Sequence, residues 1–126
     1  CNAQGVMGSG VARAIRNRWP YAYDVYHYEH SSYGLQLGQV VWAKCGDKLI
    51  ANCITQENYG RDEKRYCDYD AIRACCKTVA SQALSRGNKA VAMPQIGAGL
   101  AGGDWHTIES IIEDEFIEVQ PIVYQL

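Results

Sequence analysis

Two glycine-rich stretches constrain the fold of this chain more than any other feature. The first is GVMGSG, residues 5–10, and the second is IGAGLAGG, residues 96–103. Each runs directly into a segment whose apolar residues recur with a helical period. Glycine-rich turns that lead into helices are typical of strand-to-helix connections in α/β proteins. The sequence therefore predicts alternating strands and helices, with both glycine stretches at one rim of a sheet.

Four segments carry a helical pattern. The predicted helices cover residues 11–19, 21–32, 69–86 and 105–116. Asp68 and Asp104 stand directly before the third and fourth helices, where a carboxylate can cap free backbone N–H groups. Gly34 and Gly87 follow the second and third helices, as glycine often does at a helix end. The apolar stripe of the third helix consists of Ile72, Cys75, Cys76, Val79 and Ala83.

Four shorter segments read as strands. They cover residues 38–44, 48–55, 89–95 and 120–126. The turn Cys45-Gly46-Asp47 joins the first two into a hairpin, and residues 56–67 form a polar loop. The third, KAVAMPQ, is predicted to be a short buried strand. We expect an α/β fold with a central sheet and helices on both faces, and 126 residues suit a single domain.

Composition narrows the possible functions. The net charge of −2 gives no electrostatic case for direct binding of nucleic acid. No apolar run approaches the roughly 20 residues needed to cross a bilayer. The chain begins with Cys1, whereas a strand would normally precede the first glycine stretch, so we expect further residues before it.

The six cysteines are predicted to be free thiols. Cys75 and Cys76 are adjacent on a predicted helix and point in different directions. No CxxC pair exists, and the three histidines lie near no cysteine pair. This pattern is typical of buried thiols in a reducing cytoplasm. It argues against a structural zinc site, and we expect no metal.

Both glycine stretches are suited to phosphate. Each offers backbone N–H groups and the positive end of a helix, so together they could hold a diphosphate from two sides. The first stretch lacks the GK[ST] ending of a P-loop, and Arg13 stands where G-x-G-x-x-G needs its third glycine. The alternative is that these glycines only make tight turns. With two such stretches, each before a helix, we favour a ligand.

Four segments together resemble one family. They are CNAQGVMGSGVARAI, ITQENYGRDEKRYCDYDAI, MPQIGAGLAGGDW and the terminal VYQL. These resemble the macro domains, and in particular the phage and fungal branch described as ADP-ribose 1″-phosphate phosphatases. The resemblance implies a three-layer α/β/α fold with a mixed central sheet, formed by residues 1–126 as one domain. It also implies about two strands before residue 1, one of them carrying an aspartate that contacts adenine.

The resemblance implies ADP-ribose or its 1″-phosphate as the ligand, and no cofactor. Asn2 and Gln4 would bond the distal ribose, and Gln56 would reach the same end of the ligand. One side of the diphosphate would receive N–H groups from Gly8, Ser9, Gly10 and Val11. The other side would be closed by Ile96, Gly97, Ala98, Gly99 and Leu100.

Three residues are candidates for catalysis. Asp104 follows the second glycine stretch and could act as a general base on water, although its position is also that of an ordinary helix cap. His106 lies on the first turn of that helix and could serve as a neutral base; the alternative is a surface histidine. Tyr59 could reach the ribose or act only as a lid.

Three functions stay open. The leading one is hydrolysis of the phosphate from ADP-ribose 1″-phosphate. The others are removal of ADP-ribose from protein or nucleic acid, and non-catalytic binding of ADP-ribose. A relative that removes ADP-ribose from glutamate carries a lysine where Gln56 or Glu57 stands and an aspartate where Ala101 stands, which argues against a lysine adduct. We expect a monomer in the cytoplasm, or in a host cell's cytoplasm if the protein is viral.

Overall fold

A computed structural model describes residues 1–62 and 64–125 of the chain. In chain order its elements are α1 (Gly10–Arg18), α2 (Pro20–Tyr33), β1 (Val40–Cys45), β2 (Lys48–Cys53), α3 (Tyr69–Ser85), β3 (Ala90–Pro94), α4 (Trp105–Glu115) and β4 (Gln120–Tyr124). The order agrees with the predicted α/β alternation. Two predicted positions, Glu63 of the polar loop and Leu126 of the last strand, lie outside the described residues.

The strands form two pairs of different kinds. β1 and β2 make an antiparallel hairpin in which Val40 lies opposite Cys53. β3 and β4 are parallel, with Ala90 opposite Gln120. Among the described residues the two pairs are not hydrogen-bonded to each other, so the predicted single sheet takes the form of two ladders. The strands are mixed in direction, as expected.

The hairpin lies between two layers of helices. On one face, Trp42 and Ala51 pack against the buried side chains of α3 and α4. On the other face, the Asn52 Nδ2 atom donates a hydrogen bond to the Ala22 carbonyl oxygen of α2 at 3.2 Å. Successive strand residues point to opposite faces, so this alternation gives the predicted α/β/α layering.

The main core joins α3 and α4. Ile72 and Ile108 are fully buried at its centre, and the predicted apolar stripe of α3 is buried along its length. Burial of this apolar surface is the main force holding the two helices together. The third strand forms as predicted, but the prediction that it is buried is wrong. In β3 only Val91 and Met93 pack on the core, while Ala90 and Ala92 are exposed, because helices cover one face of this strand.

The helix ends follow local chemistry. The Asp68 carboxylate accepts a hydrogen bond from the Ala71 N–H at 2.8 Å, as its position before α3 predicts. Gly34 ends α2 with a φ of 75°. The first helix stops at Arg18 rather than Trp19, because Pro20 starts α2 as its first residue and so divides the helical run. Among the described residues, no helix is both long and apolar enough to span a membrane.

Candidate ligand-binding site

The first loop, residues 2–9, is organised by the side chain of Asn2. Its Oδ1 atom accepts hydrogen bonds from the N–H groups of Gln4 (3.0 Å) and Val6 (3.3 Å). Its Nδ2 atom donates to the Val6 carbonyl oxygen at 2.9 Å. Asn2 is only 8% exposed. The Asn2 amide is therefore engaged by the loop itself, and its predicted contact with a ribose stays a prediction.

Gln4, by contrast, lies at the surface. Its Nε2 atom donates to the Glu57 carbonyl oxygen at 3.1 Å, and the N–H of Ala3 donates to the Gln56 carbonyl oxygen at 2.9 Å. These bonds fix the first loop against the chain that follows β2. Gln4 is thus held at the loop surface, where a ligand hydroxyl can reach its amide.

The start of α1 carries open backbone donors. Its N-cap residue, Ser9, makes no side-chain capping bond, and the first turn holds no acidic residue. The N–H groups from Gly8 to Val11 donate to no acceptor in the part of the chain that the structure describes. The ends of α3 and α4 differ, because an aspartate caps each of them. The N-terminus of α1 therefore has the donors and dipole that suit an anion.

The second loop, residues 95–104, is folded by its own turns. The N–H groups of Ile96 and Ala98 are used within it, on Pro94 and Gln95, and the Gly103 N–H donates to the Gly97 carbonyl oxygen at 2.7 Å. Other N–H groups of this loop find no acceptor within residues 1–62 and 64–125, among them those of Gly97, Gly99 and Leu100.

One expectation for the second loop is wrong. The helix that follows was predicted to offer its positive end to phosphate. Instead the Asp104 carboxylate occupies that end, because its Oδ2 atom accepts from the Thr107 N–H at 3.1 Å. An anion at the second loop would therefore meet backbone N–H groups and not a free helix end.

For most of the glycines, the fold itself explains why no side chain can stand at that position; for two of them it does not. Eight of the twelve have a positive φ. Gly60 and Gly103 do not, but a Cβ on either would collide with neighbouring atoms. Only Gly8 and Gly99 have neither reason: a Cβ on Gly8 would make ordinary contact with Val6 at 3.6 Å, and one on Gly99 would meet nothing within 4 Å. One of these two glycines lies in each loop, beside the open donors.

A middle segment connects the two loops. Gln56 forms isolated β-bridges both to Asn2 of the first loop and to Cys67. The N–H groups of Tyr66 and Cys67 donate to the Ala101 carbonyl oxygen of the second loop, at 2.7 and 3.1 Å. Both loops therefore flank the same stretch of chain, at the end of β2.

The middle segment also carries two of the predicted site residues. The Gln56 Nε2 atom donates to the Asn58 carbonyl oxygen at 2.7 Å, so its amide is partly engaged. Tyr59 is 55% exposed, so the structure leaves its ring free to approach a ligand.

Asp104 and His106 lie together at the start of α4. Besides the backbone bond, the Asp104 Oδ2 atom accepts from the Thr107 hydroxyl at 2.8 Å. These two hydrogen bonds hold the pKa of the exposed Asp104 carboxyl below its usual value, and nearby His106 adds to the effect. A lowered pKa makes Asp104 a weaker base. His106 is exposed, and its ring takes no part in the cap.

The thiols do not form part of the site. All six cysteines are free, and Cys67, Cys75 and Cys76 are buried. Burial raises the pKa of Cys76 to about 12 and also raises the pKa of Cys67. Contact with Cys53, together with burial, raises the pKa of Cys75. A thiol with so high a pKa stays protonated and is a poor nucleophile at neutral pH.

A separate cleft lies at the other end of the strands. It has a volume of about 690 Å³ and is lined by Lys48 and Ala90, the first residues of β2 and β3, and by Arg86. At the opposite strand ends, the first loop is bonded to Gln56 just after β2, and the second loop follows β3. This cleft therefore lies away from every predicted site residue.

Comparison with known proteins gives two curated relatives at equal identity. The chain is 25% identical to an ADP-ribose 1″-phosphate phosphatase of Scheffersomyces stipitis, covering 94% of this chain and 82% of the relative. It is also 25% identical to the ADP-ribose glycohydrolase OARD1 of Bos taurus, covering 95% of this chain and 74% of the relative.

Solved structures give the same fold. A protein of unknown function from Bacteroides thetaiotaomicron has a TM-score of 0.90 at 35% identity, covering all of this chain and 83% of its own. The macrodomain of Thermus aquaticus DarG has a TM-score of 0.84 at 22% identity, with coverage of 100% and 85%. Thermosipho africanus DarTG in complex with ADP-ribose has a TM-score of 0.82 at 19% identity, covering 100% of this chain and 36% of that one.

The family comparison covers most of the chain. The family model described as the Macro domain matches residues 1–112, which include both glycine loops and the first turn of α4. Together with the three-layer architecture, this match settles the membership that the motifs predicted. The chain belongs to the macro domain family.

Proposed function

We propose that the protein binds ADP-ribose between its two loops and hydrolyses the phosphate of ADP-ribose 1″-phosphate. The observation that carries the proposal is the pair Gly8 and Gly99. Neither glycine has an internal reason to lack a side chain, and each lies beside backbone N–H groups without an acceptor in the described chain. A diphosphate that approaches the backbone closely from both sides supplies such a reason.

The ligand would be divided among the loops as follows. The N–H groups from Gly8 to Val11 would bond one side of the diphosphate, and those of Gly97, Gly99 and Leu100 the other. Gln4, at the loop surface, would bond the distal ribose, with Gln56 beside it. Ile96 and Ala98 would line the pocket without donating, since their N–H groups are used in turns.

For the chemical step we propose His106 as the general base, next to Asp104. The ring nitrogen of a neutral imidazole can accept a proton from water. The activated water would attack the phosphorus atom as the bond between phosphorus and the 1″-oxygen breaks. The proton taken up by His106 would pass to that leaving oxygen, which gives ADP-ribose and inorganic phosphate. Asp104 would act mainly by holding the first turn of α4, and Tyr59 would cover the ribose. Loop N–H groups would stabilise the charge that develops on the phosphoryl oxygens.

A second candidate is removal of ADP-ribose from a modified macromolecule. It is supported by the relative from Bos taurus, whose name is that of a glycohydrolase and whose identity equals that of the phosphatase. This chain carries Gln56 or Glu57, and Ala101, where the family resemblance implies the lysine and aspartate of a glutamate-specific hydrolase. Those replacements favour the phosphatase.

The deciding experiment offers both substrates to the same preparation. Release of inorganic phosphate from ADP-ribose 1″-phosphate is measured beside release of ADP-ribose from a protein modified on glutamate. The proposal predicts the first release and little of the second. The matched control is His106→Gln, which keeps a polar side chain at this exposed position but cannot accept a proton near neutral pH.

Three other outcomes would each contradict the proposal in a different way. Release of ADP-ribose alone would establish the second candidate. Binding of ADP-ribose without either release would make the protein a reader. Phosphate release that survives His106→Gln would remove His106 from the chemical step.

A further inference from the structure

Tyr26 links helix α2 to the first loop from below. It is the largest of the fully buried side chains. Its hydroxyl donates to the Asn2 carbonyl oxygen and also lies 3.0 Å from Asn2 Oδ1. Burial raises the pKa of Tyr26 to about 12, so the phenol keeps its proton and stays a donor. Tyr26, 24 positions further along the chain, therefore contacts both the backbone carbonyl oxygen and the side-chain oxygen of Asn2.

Asn2 passes this restraint on to the rest of the loop. The same Oδ1 atom accepts from the N–H groups of Gln4 and Val6, and Nδ2 donates to the Val6 carbonyl oxygen. Residues 4 and 6 lead directly to Gly8 and the open start of α1. A continuous chain of hydrogen bonds thus runs from the buried hydroxyl to the backbone just before the free N–H groups.

The apolar surroundings of Tyr26 are local to the first loop. Its ring packs with Ala3, Met7 and Ile54 in a small cluster, separate from the main core between α3 and α4. Nearby, a Cβ on Gly5 would collide with the His30 ring of the same helix, at 2.7 Å from Nδ1. The first loop therefore packs directly against α2.

We propose that Tyr26 is a positioning residue whose hydroxyl holds the first loop in its binding conformation before the ligand arrives. This inference rests on the proposed binding of ADP-ribose. Donors that are already fixed lose little freedom when an anion binds, so they bind it more tightly than mobile ones. Tyr26 does not touch the ligand in this account; it acts only through Asn2.

The test replaces Tyr26 by Phe, which keeps the ring and removes only the hydroxyl. Isothermal titration calorimetry with ADP-ribose should show a loss of affinity of about tenfold, as expected for one net hydrogen bond. Tyr28→Phe is the matched control, because Tyr28 lies on the same helix and is 63% exposed. Ile112→Val, in the main core, controls for lost stability alone. Both controls should bind like the wild type.

A second readout does not depend on the ligand. The amides of Gln4 and Val6, which donate to Asn2, should exchange with solvent faster in ligand-free Tyr26→Phe than in Tyr28→Phe. If the wild type does not bind ADP-ribose, the proposed function fails, and this exchange alone decides the inference. Unchanged exchange, or wild-type affinity in Tyr26→Phe, overturns it. If Tyr26→Phe does not fold, Asn2→Ala breaks the link from its other end, and unchanged affinity there overturns the inference.

Discussion

The Asp104 carboxylate and Thr107 are joined by two hydrogen bonds, from the backbone N–H at 3.1 Å and from the hydroxyl at 2.8 Å. Both bonds end on the same oxygen, Oδ2. The backbone N–H of Asp104 in turn donates to the Tyr69 hydroxyl at 3.0 Å, which ties the start of α4 to α3. Asp104, a candidate catalytic base from the sequence, therefore has a structural role as the cap of α4.

Asp104→Asn separates the cap from the chemistry. Asparagine caps a helix about as well as aspartate but cannot accept a proton from water. We expect this variant to keep the thermal stability of the wild type and to lose less than about tenfold in phosphate release. Kinetics with ADP-ribose 1″-phosphate and a thermal melt check both points. A much larger loss of turnover at unchanged stability would return the base role to Asp104.

The same cap should respond to acid. Hydrogen bonds from Thr107 hold the pKa of Asp104 below its value in the unfolded chain, which is about 3.9. A carboxyl with a lowered folded-state pKa stabilises the fold above that unfolded value and stops doing so as the pH falls through the folded value. We therefore expect the Thr107 amide to lose protection from exchange below about pH 4. In Asp104→Asn this acid-dependent loss should be absent.

Replacing Gln4 and replacing Asn2 should have different effects on ligand affinity and on stability. Gln4→Ala removes an exposed amide, so ADP-ribose should bind more weakly while the midpoint of unfolding stays the same. Asn2→Ala removes the acceptor that two loop N–H groups share, so it should lower both the affinity and the stability. Calorimetry and thermal melts of the two variants check this difference. An Asn2→Ala variant that loses affinity but no stability would make Asn2 a direct ligand contact after all.

Gly97→Ala should destabilise the fold. Gly97 has a φ of 74°, and a Cβ there would lie 3.1 Å from the end carbons of both Ile108 and Ile72. The combined strain and overpacking should lower the free energy of unfolding by about 1–3 kcal/mol. Denaturant unfolding measures it, with Gly99→Ala as the control in the same loop. Equal stability of the two variants would show that Gly97 is not pressed against the core.

Much of the fold could be predicted from short-range signals. The helices were found because their apolar residues have a clear period and because Asp68 and Asp104 cap them from adjacent positions. The packing of distant segments against one another was harder to predict from the sequence. The exposure of one face of β3 depends on what packs against it, and an apolar run of five or six residues does not report that.

The site shows the same division. The glycine stretches and the family resemblance located both loops. The inward orientation of the Asn2 amide has a local signal, since asparagine often bonds the backbone two residues further on. The part played by Tyr26 has no such signal, because 24 residues separate it from Asn2. The closure of the α4 end by Asp104 was foreseen as an alternative and is what the structure contains.

A single titration tests whether a diphosphate approaches the backbone at Gly8 and Gly99. ADP-ribose is titrated into the wild type, Gly8→Ala and Gly99→Ala, with AMP as the comparison ligand. Alanine fits both positions without strain and should leave stability unchanged or slightly raised. We expect micromolar binding by the wild type and a loss of at least about tenfold in each variant, because each methyl group would occupy space that the diphosphate needs. Equal affinity in all three proteins would show that the diphosphate does not approach the backbone at these two glycines.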